Sequence, residues 1–335
     1  MNINFYQHEY IFKTKSSDFF VQMLQEQGHI VTIINSHSAE EVNSESADLI
    51  ILWHSDHLIA SKRLTSIPLI CIPMLDGSLD CTVSHYRRFS EVVYFCFSEV
   101  HHNFIALAGL RSFYLQYWPK MGKVNNQQNE KRIFFWERTP GQVNSKIVRE
   151  LFRSNDFSIT VRSHHDPCYL PVDNRFIRDS KRLSVSDNWY GHQEYLQLIS
   201  EHGYFIAPRE WEGIGLSFLE AMSVGCVVVA RNNPTMSEYI TNGINGYLYD
   251  SKYEIVLKNF EEIRTNSIER LKKGNMEFER DFNRIFVDAF FEAREKRYLP
   301  KKSFLPRHLR LRDFILWRKV KRNSLVILKA LTDKL

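Results

Sequence analysis

Apolar residues along this chain fall into short dense runs separated by longer amphipathic stretches. HIVTII, DLIILW, PLICIP, VVYFCF and FYLQYW come first; RIFFW, SITVR, YFIAP, CVVVA and GYLYD follow. Most show no polar alternation, which is the pattern of strands covered on both faces, as in a parallel sheet. Between them, residues 16–27, 99–109, 141–154, 191–202 and 215–224 carry helical spacing, and 252–297 reads as mostly helical. Strands alternating with helices predict parallel α/β sheets, and two groups of about five strands predict two domains. The polar stretch MGKVNNQQNEK, residues 121–131, reads as the linker. The expected division is a first domain over 1–125, a second over 126–280, a helix over 281–300 returning towards the first, and a tail over 301–335.

A chain of 335 residues is long enough for two cores, and 44% apolar with 25% charged residues is ordinary for a soluble globular protein. The start, MNINFYQHEYIFK, has no basic region followed by an apolar core, and runs such as LIILW and CVVVA fall far below the roughly 20 residues of a membrane span. A cytoplasmic protein is expected. Cys71, Cys81, Cys96, Cys168 and Cys226 form no CxxC pair and several lie in strand-like runs, so buried reduced thiols are expected and zinc is not. The net charge of +5 is unevenly spread: residues 301–335 hold eleven Lys/Arg and two Asp, leaving 33 bases against 37 acids in the rest. The body is mildly acidic and the tail strongly basic.

Candidate chemistry concentrates in EWEGIGLSFLEA, residues 210–221. The strand YFIAP runs into acidic residues, Gly213-Ile214-Gly215 makes a turn, and a helix starts at Leu216. Ligands bind at the C-terminal ends of strands in open α/β sheets, and a helix start offers N–H groups to an anion. A dinucleotide GxGxxG reading fails, because its third glycine would fall at Phe218. On the turn alone, the glutamates are either helix-start stabilisers or acceptors for a polar ligand.

The continuation EGIGLSFLEAMSVGCVVVARNNPTMSEYITNGINGYLYD, residues 212–250, closely resembles the donor-binding signature of group 1 (family 4) glycosyltransferases, retaining enzymes of the GT-B fold. The likeness rests on Glu212 and Glu220, the following Ala-Met and Gly225, then Ser-Glu238-Tyr-Ile and Asn-Gly243-Ile-Asn-Gly246. WYGHQEYLQLISEHGYFIAP upstream is similar as well, so the strong resemblance covers about 186–250 and weaker agreement reaches back to Arg132. It implies an α/β chain of two Rossmann-like domains facing across a cleft, with the basic helical tail as an addition. It also implies transfer of a hexose, with retention, from a nucleotide-diphosphate sugar to a saccharide or lipid-linked saccharide acceptor, in bacterial surface polysaccharide or lipopolysaccharide biosynthesis. Glu212 would then contact the hexose, the backbone of Gly213, Ile214, Gly215 and Leu216 would support sugar and phosphates, and Glu220 would accept from ribose hydroxyls; carboxylates suit such hydroxyls. The family sets an arginine and a lysine five residues apart after the first strand of the second domain. In RIFFWERTPGQVNSK, Arg138 fits the arginine, but the lysine position is Val143. Lys146 either substitutes from the next helix turn or is a surface lysine. No DxD pair is present and neither metal nor cofactor is expected, since fixed cations and helix N–H groups can neutralise a leaving diphosphate.

The first domain departs from the family. FYQHEYIFKTKSSDFF lacks the glycine-rich loop, and PLICIPMLDGSLD carries Asp76-Gly77 where the family has a histidine. Asp76 either aims its carboxylate at a sugar hydroxyl or caps a helix before Ser78. His54 and His57 are further candidates; His85 is expected on a helix face. His101 and His102 either face the cleft or form a satisfied surface pair. His164, His165, Asp166 and Cys168 match no metal template and read as a loop near the nucleotide. These departures keep open a nucleotide-sugar-binding protein without transfer activity, or a sugar-nucleotide epimerase. In the tail, Leu309, Leu316, Val320, Ile327 and Leu331 form a helical stripe beside Phe314 and Trp317. It predicts either an interfacial helix on anionic lipid or a helix packed on the core, and no nucleic-acid binding.

Overall fold

The computed structural model describes residues 1–37, 46–60, 67–125, 128–153, 156–164, 183–186, 190–250, 255–295 and 300–320. Contacts divide the chain into two units, one built from Met1–Gln116 and the residues from Asp281 onward, the other from Tyr117–Arg280. In the first unit, β1 (Asn2–Gln7), β2 (Ile30–Asn35), β3 (Leu49–Trp53), β4 (Leu69–Ile72), β5 (Val93–Cys96) and β6 (Ser112–Tyr114) pair in parallel in the order β2-β1-β3-β4-β5-β6. Strands β3, β4 and β5 are buried throughout, which is why their sequences do not alternate. Strand β1 stands outside the apolar runs because Asn2, Asn4 and Gln7 interrupt it; the buried Gln7 carboxamide is met by the Ser17 hydroxyl. Crossovers run through α1 (Glu9–Thr14), α2 (Asp18–Glu26), α3 (His57–Ala60), α4 (Val83–Arg87) and α5 (Glu99–Leu107).

The second unit repeats the plan with β7 (Asn129–Trp136), β8 (Ser158–Arg162), β9 (Leu183–Ser186), β10 (His202–Ile206), β11 (Val227–Arg231) and β12 (Tyr247–Tyr249), ordered β12-β11-β10-β7-β8-β9 and again parallel. Its helices are α6 (Ser145–Leu151), α7 (His192–Ser200), α8 (Leu216–Ser223), α9 (Met236–Tyr239) and the first part of α10 (Phe260–Arg294). Strand β9 is four residues long and half serine, too short and polar to stand out in the sequence. The core includes Ile133, Phe135, Val148, Leu151, Ile206, Val227, Val229 and Ile263.

Residues 117–131 group with the second unit. The Gly122 N–H donates to Ser223 O at 3.0 Å, Gln128 donates to Val224 O at 3.1 Å, and Arg264 reaches both Gln128 Oε1 and Asn125 O. The polarity of MGKVNNQQNEK thus serves buried backbone groups and the start of β7. The later part of α10 groups with the first unit, where Phe282 and Phe286 meet Phe20 at ring separations of 5.2 and 6.2 Å. The buried Arg111 guanidinium donates to the carbonyls of Glu292 and Glu295 at the end of that helix, satisfying groups the helix leaves unbonded.

The described part of the tail is tied to the first unit backbone to backbone. Lys301 and Phe304 N–H groups donate to Gly109 O and Leu107 O, Val83 and Ser84 donate to Leu309 O and Arg307 O, and Leu311 and Arg312 donate to Cys81 O and Leu79 O, all at 2.9–3.1 Å. A helix follows over 311–320. Its buried face is Leu311, Phe314 and Ile315, spaced i, i+3, i+4, with Phe314 at 5.4 Å from Phe104. The stripe read from the sequence is not this face: Leu316 and Val320 are exposed, because the turn at 301–310 rotates the helix so that Leu311 enters the core. Ile327 and Leu331 lie outside the described residues. Phe314→Ala is therefore expected to cost about 3–5 kcal/mol of stability in urea unfolding, against less than about 0.5 kcal/mol for Leu316→Ala. Equal effects would overturn this packing.

Candidate functional site

The Gly213-Ile214-Gly215 turn leaves β10 and opens α8. Gly215 is the N-cap with φ of 87°, and a Cβ there would overlap the Phe218 ring, so the turn requires glycine on both counts. As N-cap, Gly215 brings no side-chain hydrogen bond to the first turn of α8, and the buried Ser217 hydroxyl has no hydrogen-bond partner among the described residues. The turn is pinned from beneath by the fully buried Thr235, whose hydroxyl donates to Glu212 O at 2.7 Å and lies 3.2 Å from Gly213 O. The Glu212 side chain is buried. Glu210 is half-buried, its backbone held by Gln142 and Asn233.

Glu220 lies on α8 with 27% of its side chain exposed, 3.8 Å from His192 Nδ1. Burial pushes its carboxyl up to about 7, with the Arg138 charge pulling the other way. Tyr195 is pushed well up by burial, with Glu220 adding to that and Arg162 and Arg138 opposing it. These four side chains, from the ends of β7 and β8 and from α7 and α8, thus share one electrostatic neighbourhood. Arg138 and Arg162 both stand over the Trp136 ring, at 4.7 and 4.3 Å, and Arg162 also faces Tyr190 and Tyr195. The sequence reading missed Arg162, which is 3% exposed. Its signal was a cation closing the apolar strand SITVR, in register with Trp136 on the neighbouring strand. Thr235 was also missed, though it lies within the family-like stretch.

Val143, at the family's lysine position, is buried in the second unit's core and supplies no cation. Lys146 is exposed at the second position of α6, which is capped by Asn144. The buried Glu137 carboxylate is committed to Ser145, accepting its N–H at 2.8 Å and its hydroxyl at 3.0 Å.

In the first unit, Asp76 is half-buried in the loop after β4 and accepts the Gly77 N–H at 3.1 Å. It caps no helix: the N-cap of α4 is Thr82. The exposed His54, in a left-handed conformation after β3, lays its imidazole against Gly77, where a Cβ would clash, so histidine and aspartate meet in one loop cluster. His57 is exposed at the start of α3. His101 overturns both of its readings. It is buried, its Nε2 is 2.7 Å from the Tyr86 hydroxyl, and burial pushes it down to about 3, so it is a neutral core residue. His102 is half-buried with Nδ1 3.0 Å from Ser112 Oγ. His85 lies on α4 with Nε2 3.7 Å from Asp56. The Asp56 carboxylate, with the Cys81 sulfur, raises its imidazole to about 9. The His164 carbonyl accepts from Trp136 Nε1 at 2.7 Å; His165, Asp166 and Cys168 lie outside the described residues.

Glu220 yields a test. Its folded value of about 7 lies above the ordinary 4.5, so the native state keeps a proton that the unfolded chain has released. Its contribution to stability is present below about 4.5 and is lost as pH rises through about 7. Glu220→Gln is expected to remove that slope, raising stability relative to wild type more at pH about 8 than at pH about 4.5. Parallel pH profiles for the two proteins in urea unfolding would refute the assignment.

Residues 177–274, inside the second unit, match the family described as Glycosyl transferases group 1. The lipopolysaccharide core biosynthesis mannosyltransferase LpsB of Rhizobium meliloti (strain 1021) is 51% identical over 39 residues, 12% of this chain and 11% of that protein. Sucrose synthase 5 of Arabidopsis thaliana is 36% identical over 56 residues, 17% of this chain and 7% of that one. The likeness to these curated relatives therefore spans only a small part of their length. Among solved structures, Anabaena HepE in complex with UDP and glucose superposes with a TM-score of 0.61 at 13% identity, over 87% of this chain and 99% of that one. Residues 177–274 thus resemble the glycosyl transferases group 1 family, and the chain has the GT-B fold.

Proposed function

We propose that this protein transfers a hexose, with retention of configuration, from a nucleotide-diphosphate sugar to a hydroxyl of a saccharide acceptor in the assembly of a bacterial surface polysaccharide or lipopolysaccharide. The observation that carries this reading is the gathering of Glu220, Arg138 and the start of α8 at the strand ends of the second unit. A nucleotide sugar needs a carboxylate for its ribose hydroxyls, cations for its diphosphate and N–H donors beside them; these are the groups present. Glu220 takes the ribose, the backbone from Gly213 to Leu216 takes sugar and phosphates, and Glu212 orients the hexose. As the bond to the sugar breaks, negative charge grows on the departing diphosphate. Arg138, with Arg162 behind the same tryptophan, and the α8 N–H groups stabilise it, so transfer needs no metal and no cofactor. The departing phosphate accepts the proton of the acceptor hydroxyl. Asp76 supplies the acceptor-side carboxylate and Lys146 a supplementary cation.

The name of LpsB, a mannosyltransferase of lipopolysaccharide core, and the UDP and glucose held by HepE support the surface-glycan setting and the donor class. No helix among the described residues is long and apolar enough to cross a membrane. The exposed Leu316, Trp317 and Val320, beside Arg318 and Lys319, instead suit contact with the anionic inner face of the cytoplasmic membrane, where a lipid-linked acceptor would be met.

Donor binding tests the reading. Titration with UDP-, GDP-, ADP- and dTDP-sugars is expected to select one base, with Glu220→Ala and Arg138→Ala each weakening it roughly tenfold or more, the loss of one charge-assisted hydrogen bond. Binding unchanged in both variants, or no donor bound, would remove the site. Turnover of the donor only when a saccharide acceptor is present separates transfer from epimerisation, which needs no acceptor, and from binding alone. For the tail, sedimentation with vesicles containing anionic phospholipid is expected, weakened by salt and by Trp317→Ala with Arg318→Ala. Equal binding to neutral vesicles, or none, would refute the membrane contact.

A further inference from the structure

Asp56, Cys81 and His85 converge in the first unit, and none of them is used above for the donor. Each offers one donor atom, and the three atoms lie within 4.8 Å of one another. They come from consecutive strand-end segments: Asp56 between β3 and α3, Cys81 in the loop before α4, and His85 on α4 itself. The backbone beneath them is tied down. Cys81 N–H donates to Ser78 O at 2.9 Å, Cys81 O accepts from Leu311 N–H at 3.0 Å, and the His85 N–H is held by Thr82 Oγ1 at 3.2 Å. The His85 ring is fixed edge-on by Tyr86 and Phe89 at 5.3 and 5.9 Å.

The spacing suits a small divalent cation. With metal–ligand bonds of about 2.0–2.3 Å, the donors of a tetrahedral zinc stand roughly 3.3–3.8 Å apart. His85 Nε2 and Asp56 Oδ2 are already at 3.7 Å, so mainly the sulfur has to close in, by at most about 1–1.5 Å. Asp56 and the Cys81 sulfur both already face the His85 imidazole, so the three donors point at one another rather than outwards. Cys71, Cys96 and Cys226 are buried, whereas Cys81, like Asp56 and His85, is half-exposed, leaving the cluster open to an ion and to a water in a fourth position. A thiolate, an imidazole and a carboxylate together favour a borderline-soft metal over calcium or magnesium, which take oxygen donors.

We propose that Asp56, Cys81 and His85 bind one zinc-class divalent cation, cross-linking the loop after β3 to the loop before α4. The sequence did not show this, because Asp56 and Cys81 are separated by a strand and match no ligand spacing.

The experiment uses the full chain, stripped of metal and titrated with Zn²⁺ against a chromophoric chelator, and with Co²⁺ as a spectroscopic probe. The expected result is about one equivalent bound, a thiolate-to-cobalt charge-transfer band, and affinity at least roughly tenfold weaker in Cys81→Ser, His85→Ala and Asp56→Asn, with the band absent from Cys81→Ser. A wild-type protein that takes up no zinc overturns the proposal. So does metal that stays bound unchanged in Cys81→Ser and His85→Ala, which would locate it elsewhere in the chain. Should the variants not fold, alkylation of wild-type Cys81 by iodoacetamide, mapped by mass spectrometry, still decides: zinc is expected to protect it, and equal labelling with and without zinc refutes the site.

Discussion

A parallel strand cannot be joined to its neighbour by a tight turn; the chain must cross over the sheet face and start again from the far edge. Both faces are then covered by crossovers, and the only loops free to vary are those leaving the strand ends. In the second unit this constraint collects Arg138 after β7, Arg162 at the end of β8, and the glycine turn after β10 along one edge. In the first unit it collects His54, Asp56 and Asp76 after β3 and β4. The groups of each unit sit together because the strands beneath them run the same way.

That logic explains which parts could be read from the chain. Runs such as LIILW and CVVVA announce buried parallel strands, because every position is apolar whichever face it meets. Gly215 was legible because left-handed geometry leaves little choice of residue, and Glu220 because the whole stretch around it resembles a known family. Other groups depend on register or burial that one dimension does not carry. Arg162 gains meaning only when β8 lies beside β7 and brings it onto Trp136. Thr235 is an unremarked hydroxyl until the turn it supports is folded above it. His101 read as a helix-start histidine, yet that helix presses it into the core against Tyr86. Val143 shows the reverse case: the missing lysine was visible, and the structure adds that the position belongs to the core.

Two polar segments share a physical logic. MGKVNNQQNEK read as a linker, and the tail as a helix either on lipid or packed on the core. In both, polar atoms are occupied with backbone groups that would otherwise be buried unbonded, as with Gln128 on Val224 and the ladder between residues 79–84 and 307–312. Asp80, paired with Arg310 and Arg312, reinforces that ladder at its edge. The basic character of this stretch is thus partly internal, and the outward charge is carried by fewer residues than the composition suggests.

The division of the chain also orders its assembly in time. The second unit is one continuous segment, so it can complete its contacts as soon as its last helix has left the ribosome. The first unit draws on segments from either side of the second: its β1–β6 sheet is made before it, but Phe282, Phe286 and Phe314, which seal that sheet, are synthesised after it. Covering the first unit's apolar surface therefore requires closing a loop as long as the second unit, at a larger entropic cost than the local contacts within either unit.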